Sequence, residues 1–251
     1  MNDIKQIIDE KLDEIERREN IKILHCIESG SRAWGFPSPD SDYDVRFVYV
    51  RPKEYYLKLE KTRDVIEWQL DDTLDINGWD LQKALRLLHN SNPTVFEWNN
   101  SPIVYRTTEE WEEIKKILGD YFDIKSGLYH YLNTAKSNYR EYLKRDSVRL
   151  KKYFYVLRPL LACEHIKATR SAPPMLFSDL LCYLGKEILS EVEKLLELKA
   201  VTSELGEGKK IVAINDFIDK KIIEFDKYIE NVKANKNNSW DKLNGIFMSL
   251  L

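Results

Sequence analysis

Gly30-Ser31 is followed, after ten intervening residues, by Asp42-Tyr43-Asp44. A turn of small residues lets a phosphate approach the backbone. Gly30 can take a positive φ, and the Ser31 hydroxyl and following amides can donate to phosphate oxygens if they open a short helix. Two carboxylates two residues apart on a strand share a face, with Cα atoms about 7 Å apart at a rise of ~3.3 Å per residue. Left bare they repel one another, and a divalent cation is the natural way to keep both ionised. Turn and carboxylates together are the equipment of metal-dependent chemistry on a nucleoside triphosphate. Arg32 adds a cation beside the turn, and Arg46, on the same strand face as residues 42 and 44, can relieve part of the repulsion.

These residues need elements to hold them. Ile21 to Glu28 is an almost unbroken apolar run that reads as a buried strand ending at the turn. Phe36 to Ser41 has loop chemistry, and Tyr43 to Val50 alternates as a strand. A third acid is expected on an adjacent strand, and Asp71, Asp72, Asp75 and Asp80 are available. Val65 to Leu70 reads as a strand, Asp71-Asp72 as its turn, and Thr73 to Trp79 as a returning strand that feeds a helix over Leu81 to Asn90. Asp80 then falls at a helix N-cap, where Asp is favoured for structural reasons alone. Asp75 lies inside the strand and is the preferred third carboxylate, with Asp80 the alternative. Asn77 and Arg46 share faces with these acids. Trp34 either stacks on a base or wedges under the loop, while Trp68, Trp79, Trp98 and Trp111 read as core.

The chain opens with an amphipathic helix whose stripe is Ile4, Ile7, Ile8, Leu12 and Ile15. Thr107 or Thr108 caps a helix through about Leu118, and the pattern is helical from there nearly to the end. It is interrupted at Ser171 to Pro174, at Ser203 to Lys210 and at Ala234 to Ser239. Lys136, Arg140, Lys144, Arg145, Arg149, Lys151, Lys152 and Arg158 form the richest cationic interval, with tyrosines at 139, 142, 153 and 155 interleaved. It suits either a groove for a single-stranded nucleic-acid end or a solvated helix face. A helix over 147 to 168, started by Asp146 or Ser147, would put Lys151, Tyr155 and Arg158 on one face and Leu150, Phe154, Leu157 and Leu161 on another. Pro159 would kink it. Lys151 or Lys152 is then a candidate for the β- and γ-phosphates, and Arg158 a second.

With 251 residues, 43% of them hydrophobic, the chain can bury one sizeable core or two modest ones, and its formal charge of −3 argues against a basic surface over the whole molecule. No run approaches the ~18 apolar residues of a membrane span, and the N-terminus lacks a signal peptide's apolar stretch. Cys26, Cys163 and Cys182 are scattered in apolar sequence, as in a reduced cytoplasmic protein, and the four histidines have no zinc-site spacing.

On the stretches Glu28 to Phe36, Ser41 to Phe47, Asp75 to Leu81 and Lys151 to Leu160, the chain resembles the DNA polymerase beta-like nucleotidyltransferase superfamily. More narrowly it resembles the RNA repair pathway DNA polymerase beta family. The resemblance runs from about residue 20 to about residue 185. It implies an α+β fold, a small mixed sheet with flanking helices followed by a helical C-terminal half that closes a nucleotide cleft, with domains at 1–106 and 107–251. It also implies transfer of a nucleoside monophosphate from a nucleoside triphosphate, dependent on two Mg²⁺ ions for which Mn²⁺ can substitute, with pyrophosphate as leaving group. The metal carboxylates carry over to Asp42, Asp44 and Asp75, and the phosphate turn to Gly30 and Ser31. The acceptor and the oligomeric state are not encoded in these motifs. An RNA end is favoured by the basic-aromatic interval. The alternatives are a protein hydroxyl, as in an antitoxin-type adenylyltransferase, a small molecule, or a nucleotide sensor without catalysis.

Overall fold

The computed structural model describes residues 2–71, 73–202 and 206–251. The chain divides into two units, one made of Met1–Gly30, Asp42–Tyr121 and Asn237–Leu251, the other of Ser31–Ser41 and Phe122–Lys236.

In the first unit, α1 (Asn2–Glu19) leads into β1 (Lys22–Glu28), and α2 (Gly30–Ala33) carries the chain across the boundary between units. After the 31–41 segment come β2 (Tyr43–Val50), α3 (Lys53–Tyr56), β3 (Val65–Asp71), β4 (Leu74–Asp80), α4 (Leu81–His89), α5 (Pro93–Asn99), β5 (Val104–Thr107) and α6 (Glu109–Leu118). The sheet order is β3-β4-β2-β1-β5. Among the described residues only the β2–β4 ladder is parallel, so the sheet is mixed, and its register sets Asp44 directly opposite Asp75. The strands are legible as apolar runs because their side chains enter a common core. Ile8, Leu12 and Ile15 of α1 are fully buried with Ile23, Cys26, Val45, Phe47 and Ile76. Ile7, expected on that stripe, is 38% exposed, since it sits about 100° around the helix from Ile8.

The expected domain boundary at 106 falls inside this unit. β5 pairs with β1, and Trp111 of α6 stacks on His25 of β1 with ring centroids 4.7 Å apart, which ties α6 to the sheet. Thr108 caps α6 by accepting from the Trp111 amide. Asp72, offered as a candidate acid and turn residue, lies outside the described residues, as does Ser203 at the start of an expected interruption.

The second unit contains α7 (Ile124–Tyr142), β6 (Ser147–Arg149), α8 (Lys152–Thr169), α9 (Lys186–Val201), β7 (Glu207–Lys209) and α10 (Val212–Glu230). The chain then returns to the first unit as α11 (Asp241–Ser249). The 31–41 segment belongs here because Phe36 stacks on Phe154 at 4.9 Å and meets Phe177 edge-on at 5.4 Å. The helix expected over 147–168 begins only at Lys152. Residues 147–149 instead pair antiparallel with 207–209, a partner far along the chain. α8 continues through Pro159, and its Phe154, Leu157 and Leu161 are buried as the periodicity required.

Candidate functional site

Gly30 has φ +60°, a conformation that side chains with a Cβ rarely adopt, and an added Cβ would stand 1.9 Å from Asp44 Oδ2. The glycine is therefore required twice over, for its backbone angle and for the space its Asp44 neighbour fills. The Ser29 amide donates to the Asp44 carbonyl at 2.8 Å. The Asp44 amide in turn donates to Glu28 Oε1 at 2.8 Å, while the Tyr105 hydroxyl donates to Glu28 Oε2. Ser101 Oγ donates to the Glu28 carbonyl at 2.6 Å. The fully buried Glu28 thus pins the start of β2 and fixes where Asp44 stands. The sequence reading passed over Glu28. Its one signal was a carboxylate closing an apolar strand.

Asp44 and Asp75 are joined by a guanidinium. Arg46 Nη2 donates to Asp44 Oδ1 at 2.9 Å and to Asp75 Oδ2 at 2.7 Å, and Nη1 donates to the Asp75 carbonyl at 3.0 Å. Burial raises the Asp44 pKa; Arg46 pulls it back, and the charges of Asp75 and Asp42 push it up again. Asp42 is exposed just ahead of β2, and Asp75 is half exposed. Asp80 is differently engaged. It is 2% exposed, caps α4 by accepting from the Gln82 amide at 2.8 Å, and accepts the Tyr56 hydroxyl at 2.9 Å. Both its oxygens are committed to structure, and it is Asp75 that faces Asp44 across the ladder.

Among the described residues, no three His, Cys, Asp or Glu side chains stand close enough to enclose an ion by themselves. Mg²⁺ does not need such a cage, since it is commonly held by one or two carboxylates with substrate phosphates and water completing its shell. An all-oxygen cluster in which one guanidinium serves more than one carboxylate, and in which Asp44 stays short of positive charge, fits a hard divalent cation.

The second unit holds the other expected residues. Ser31 Oγ donates to Ser41 Oγ at 3.0 Å, and Arg32 Nε and Nη2 donate to the Ser41 carbonyl at 3.2 and 2.6 Å. Lys151 precedes the first turn of α8. Lys152 Nζ lies 4.0 Å from the Tyr142 ring centroid and 4.7 Å from that of Tyr155, and its pKa is lowered by burial and then by the charge of Lys151. Arg158 is 5% exposed. It donates from Nε and Nη2 to the Met175 carbonyl, both at 3.3 Å, and lies 4.8 Å over the Trp34 ring. Trp34 also meets Tyr155 edge-on at 5.5 Å, so it is packed as a wedge within this unit. In the basic interval, Lys136 pairs with Asp226 and Lys144 with Asp219. Arg145 and Arg149 line a pocket of about 400 Å³ with Glu141, Tyr142, Ser147 and Glu207. No helix among the described residues is long and apolar enough to cross a membrane.

The sequence pattern of the RNA repair pathway DNA polymerase beta family matches residues 4–249. The Bacillus subtilis protein described as "uncharacterized protein YcgL" is 43% identical over 249 residues, which span 98% of this chain and 96% of that one. A solved nucleotidyltransferase-like protein from Exiguobacterium sibiricum aligns with 90% of this chain and 74% of its own, at 12% identity and a TM-score of 0.32, too loose a likeness to carry weight. The chain belongs to the RNA repair pathway DNA polymerase beta family, and that membership supports a general nucleotidyltransferase role.

Proposed function

We propose that the chain transfers a nucleoside monophosphate from a nucleoside triphosphate to the hydroxyl of an RNA end, with Mg²⁺ or Mn²⁺ as cofactor and pyrophosphate as leaving group. The observation that carries this reading is the Asp44–Arg46–Asp75 arrangement beside Gly30, in a member of this family. Asp42, Asp44 and Asp75 would hold two divalent ions, which when bound neutralise the triphosphate and make the attacking hydroxyl more acidic. The acceptor oxygen forms a bond to the α-phosphorus as the bond from that phosphorus to the bridging oxygen breaks. The hydroxyl proton passes to Asp75, whose carboxylate is half exposed. Arg46 keeps Asp75 turned toward Asp44, and Glu28 keeps the Asp44 backbone in place. Gly30, Ser31 and Arg32 are proposed for the phosphate turn, and Lys151 or Lys152 for the triphosphate. Arg158, which lies over the Trp34 ring and donates to the Met175 carbonyl, is the second candidate for the triphosphate.

An RNA end as acceptor is supported by the family's description and by the pocket of Arg145, Arg149 and Tyr142, which offers cations and a ring for stacking. The test incubates the protein with each α-labelled nucleoside triphosphate, Mg²⁺ or Mn²⁺, and total RNA and total protein as acceptors, beside an Asp42→Ala/Asp44→Ala control. Label on RNA that the double variant fails to give is the expected result. Label on a protein band would move the reading to protein adenylylation. Tight nucleotide binding without label anywhere would mark a sensor.

A further inference from the structure

Within the second unit, the hydroxyls of the 31–41 segment form a chain with a direction. Ser41 Oγ accepts from the Ser38 amide at 2.9 Å and from Ser31 Oγ at 3.0 Å. Both its lone pairs are then used, so its own proton goes to Ser38 Oγ, 3.0 Å away. Ser38 Oγ also accepts from Lys199 Nζ at 3.4 Å, which fills it as an acceptor and leaves its own proton to be donated outward. Lys199, from α9, is 6% exposed. An ammonium has three donors and no acceptor, and among the described residues the contacts recorded for this one are the Ser38 hydroxyl and the Phe36 ring, 5.8 Å from Nζ to its centroid. Burial lowers its pKa, the charge of Lys151 lowers it further, and the charge of Asp40 opposes this. A buried cation with no carboxylate in hydrogen-bond contact is costly, and the surplus groups of Lys199 and Ser38 are donors. What satisfies surplus donors beside a buried cation is an anion with several acceptor oxygens.

We propose that Lys199 and Ser38 form an anion site in the second unit that binds the phosphate oxygens of a triphosphate tail or of pyrophosphate. The identity of the anion rests on the nucleotidyl-transfer reading; the surplus of donors does not. Ser31, through its bond to Ser41, also helps to orient Ser41 and Ser38.

The test is calorimetric titration of the full chain with pyrophosphate, inorganic phosphate and a nucleoside monophosphate in metal-free buffer, using wild type, Lys199→Met, Lys199→Arg, Ser38→Ala and Asp44→Asn. Lys199→Met should weaken pyrophosphate binding at least about tenfold, the worth of a charge-assisted hydrogen bond. Lys199→Arg should keep most of the affinity, and Ser38→Ala should lose about two- to fivefold. The monophosphate should bind weakest, and equal binding of inorganic phosphate and pyrophosphate would overturn the assignment to a phosphate chain. Asp44→Asn should leave metal-free affinity unchanged even where transfer is lost, so failure of the catalytic reading and failure of this one are separable. Wild-type affinity in folded Lys199→Met, or no pyrophosphate binding by the wild type, overturns the proposal. Should Lys199→Met not fold, unchanged binding in Ser38→Ala overturns it.

Discussion

The two units treat buried charge in opposite ways. In the first, Arg46 is shared between Asp44 and Asp75, and Asp44 still has a raised pKa because burial and like charge outweigh the guanidinium. In the second, Lys152 and Lys199 rest on aromatic rings and a hydroxyl, and burial lowers the pKa of both. Two other charged groups show the contrast. Lys221 meets Glu164 and Glu224, and Arg106 meets Asp13 and Glu16. Against those pairs, Asp44 is left short of positive charge and Lys199 of negative charge. On the reading proposed above, the first unit would take a divalent cation and the second a phosphate anion.

The strongest way to break that comparison is to remove the carboxylates. Asp42→Ala/Asp44→Ala should lower labelled transfer by on the order of 10³-fold or to background, since neither ion would be held, while metal-free pyrophosphate binding persists. Transfer at the wild-type rate would end the reading. Gly30→Ala comes next. Its methyl would meet Asp44 Oδ2 at 1.9 Å in a left-handed backbone, so the carboxylate must move. Displacement of about 1 Å at a reacting centre costs on the order of 10²-fold, and the backbone strain about 1–2 kcal/mol. Steady-state rates and thermal melts should show both losses together. A variant that keeps its rate would mean the turn does not set Asp44.

Much of the first unit was legible because its causes are local. Apolar runs marked β1 and β2, Asp80 sat where an N-cap belongs, and Thr108 stood ahead of an acidic first turn. Asp75 was chosen because it lay inside a strand, and the parallel register places it opposite Asp44. What was not legible depends on partners far along the chain. Val148 looked helical until paired with Gly208, and Glu28 draws its importance from Tyr105 and Ser101. Lys199 sits in an ordinary charged helix, and only its approach to Ser38, 161 residues earlier, gives it a role. The interleaving of 31–41 with the helical unit rests on Phe36 and its ring partners, which no period in the sequence announces.

The smallest effect separates the two units most cleanly. Asp44 has a folded pKa above its ordinary 3.8, so its ionised form costs stability above the folded pKa, and that cost fades as pH falls toward 3.8. Lys199 has a folded pKa below its ordinary 10.5, so its ammonium costs stability below the folded pKa, and that cost fades as pH rises toward 10.5. Asp44→Asn and Lys199→Met should therefore each stabilise the metal-free, anion-free protein near neutrality by about 0.5–2 kcal/mol, the usual gain when a functional site is relaxed. Urea titrations carried down toward pH 3.8 and up toward pH 10.5 should show the Asp44→Asn gain narrowing toward acid and the Lys199→Met gain narrowing toward base. Gains that shrink in the same direction would mean that one of the two charges is already neutralised within its own unit. The opposition of a cation site and an anion site would then lose one of its members.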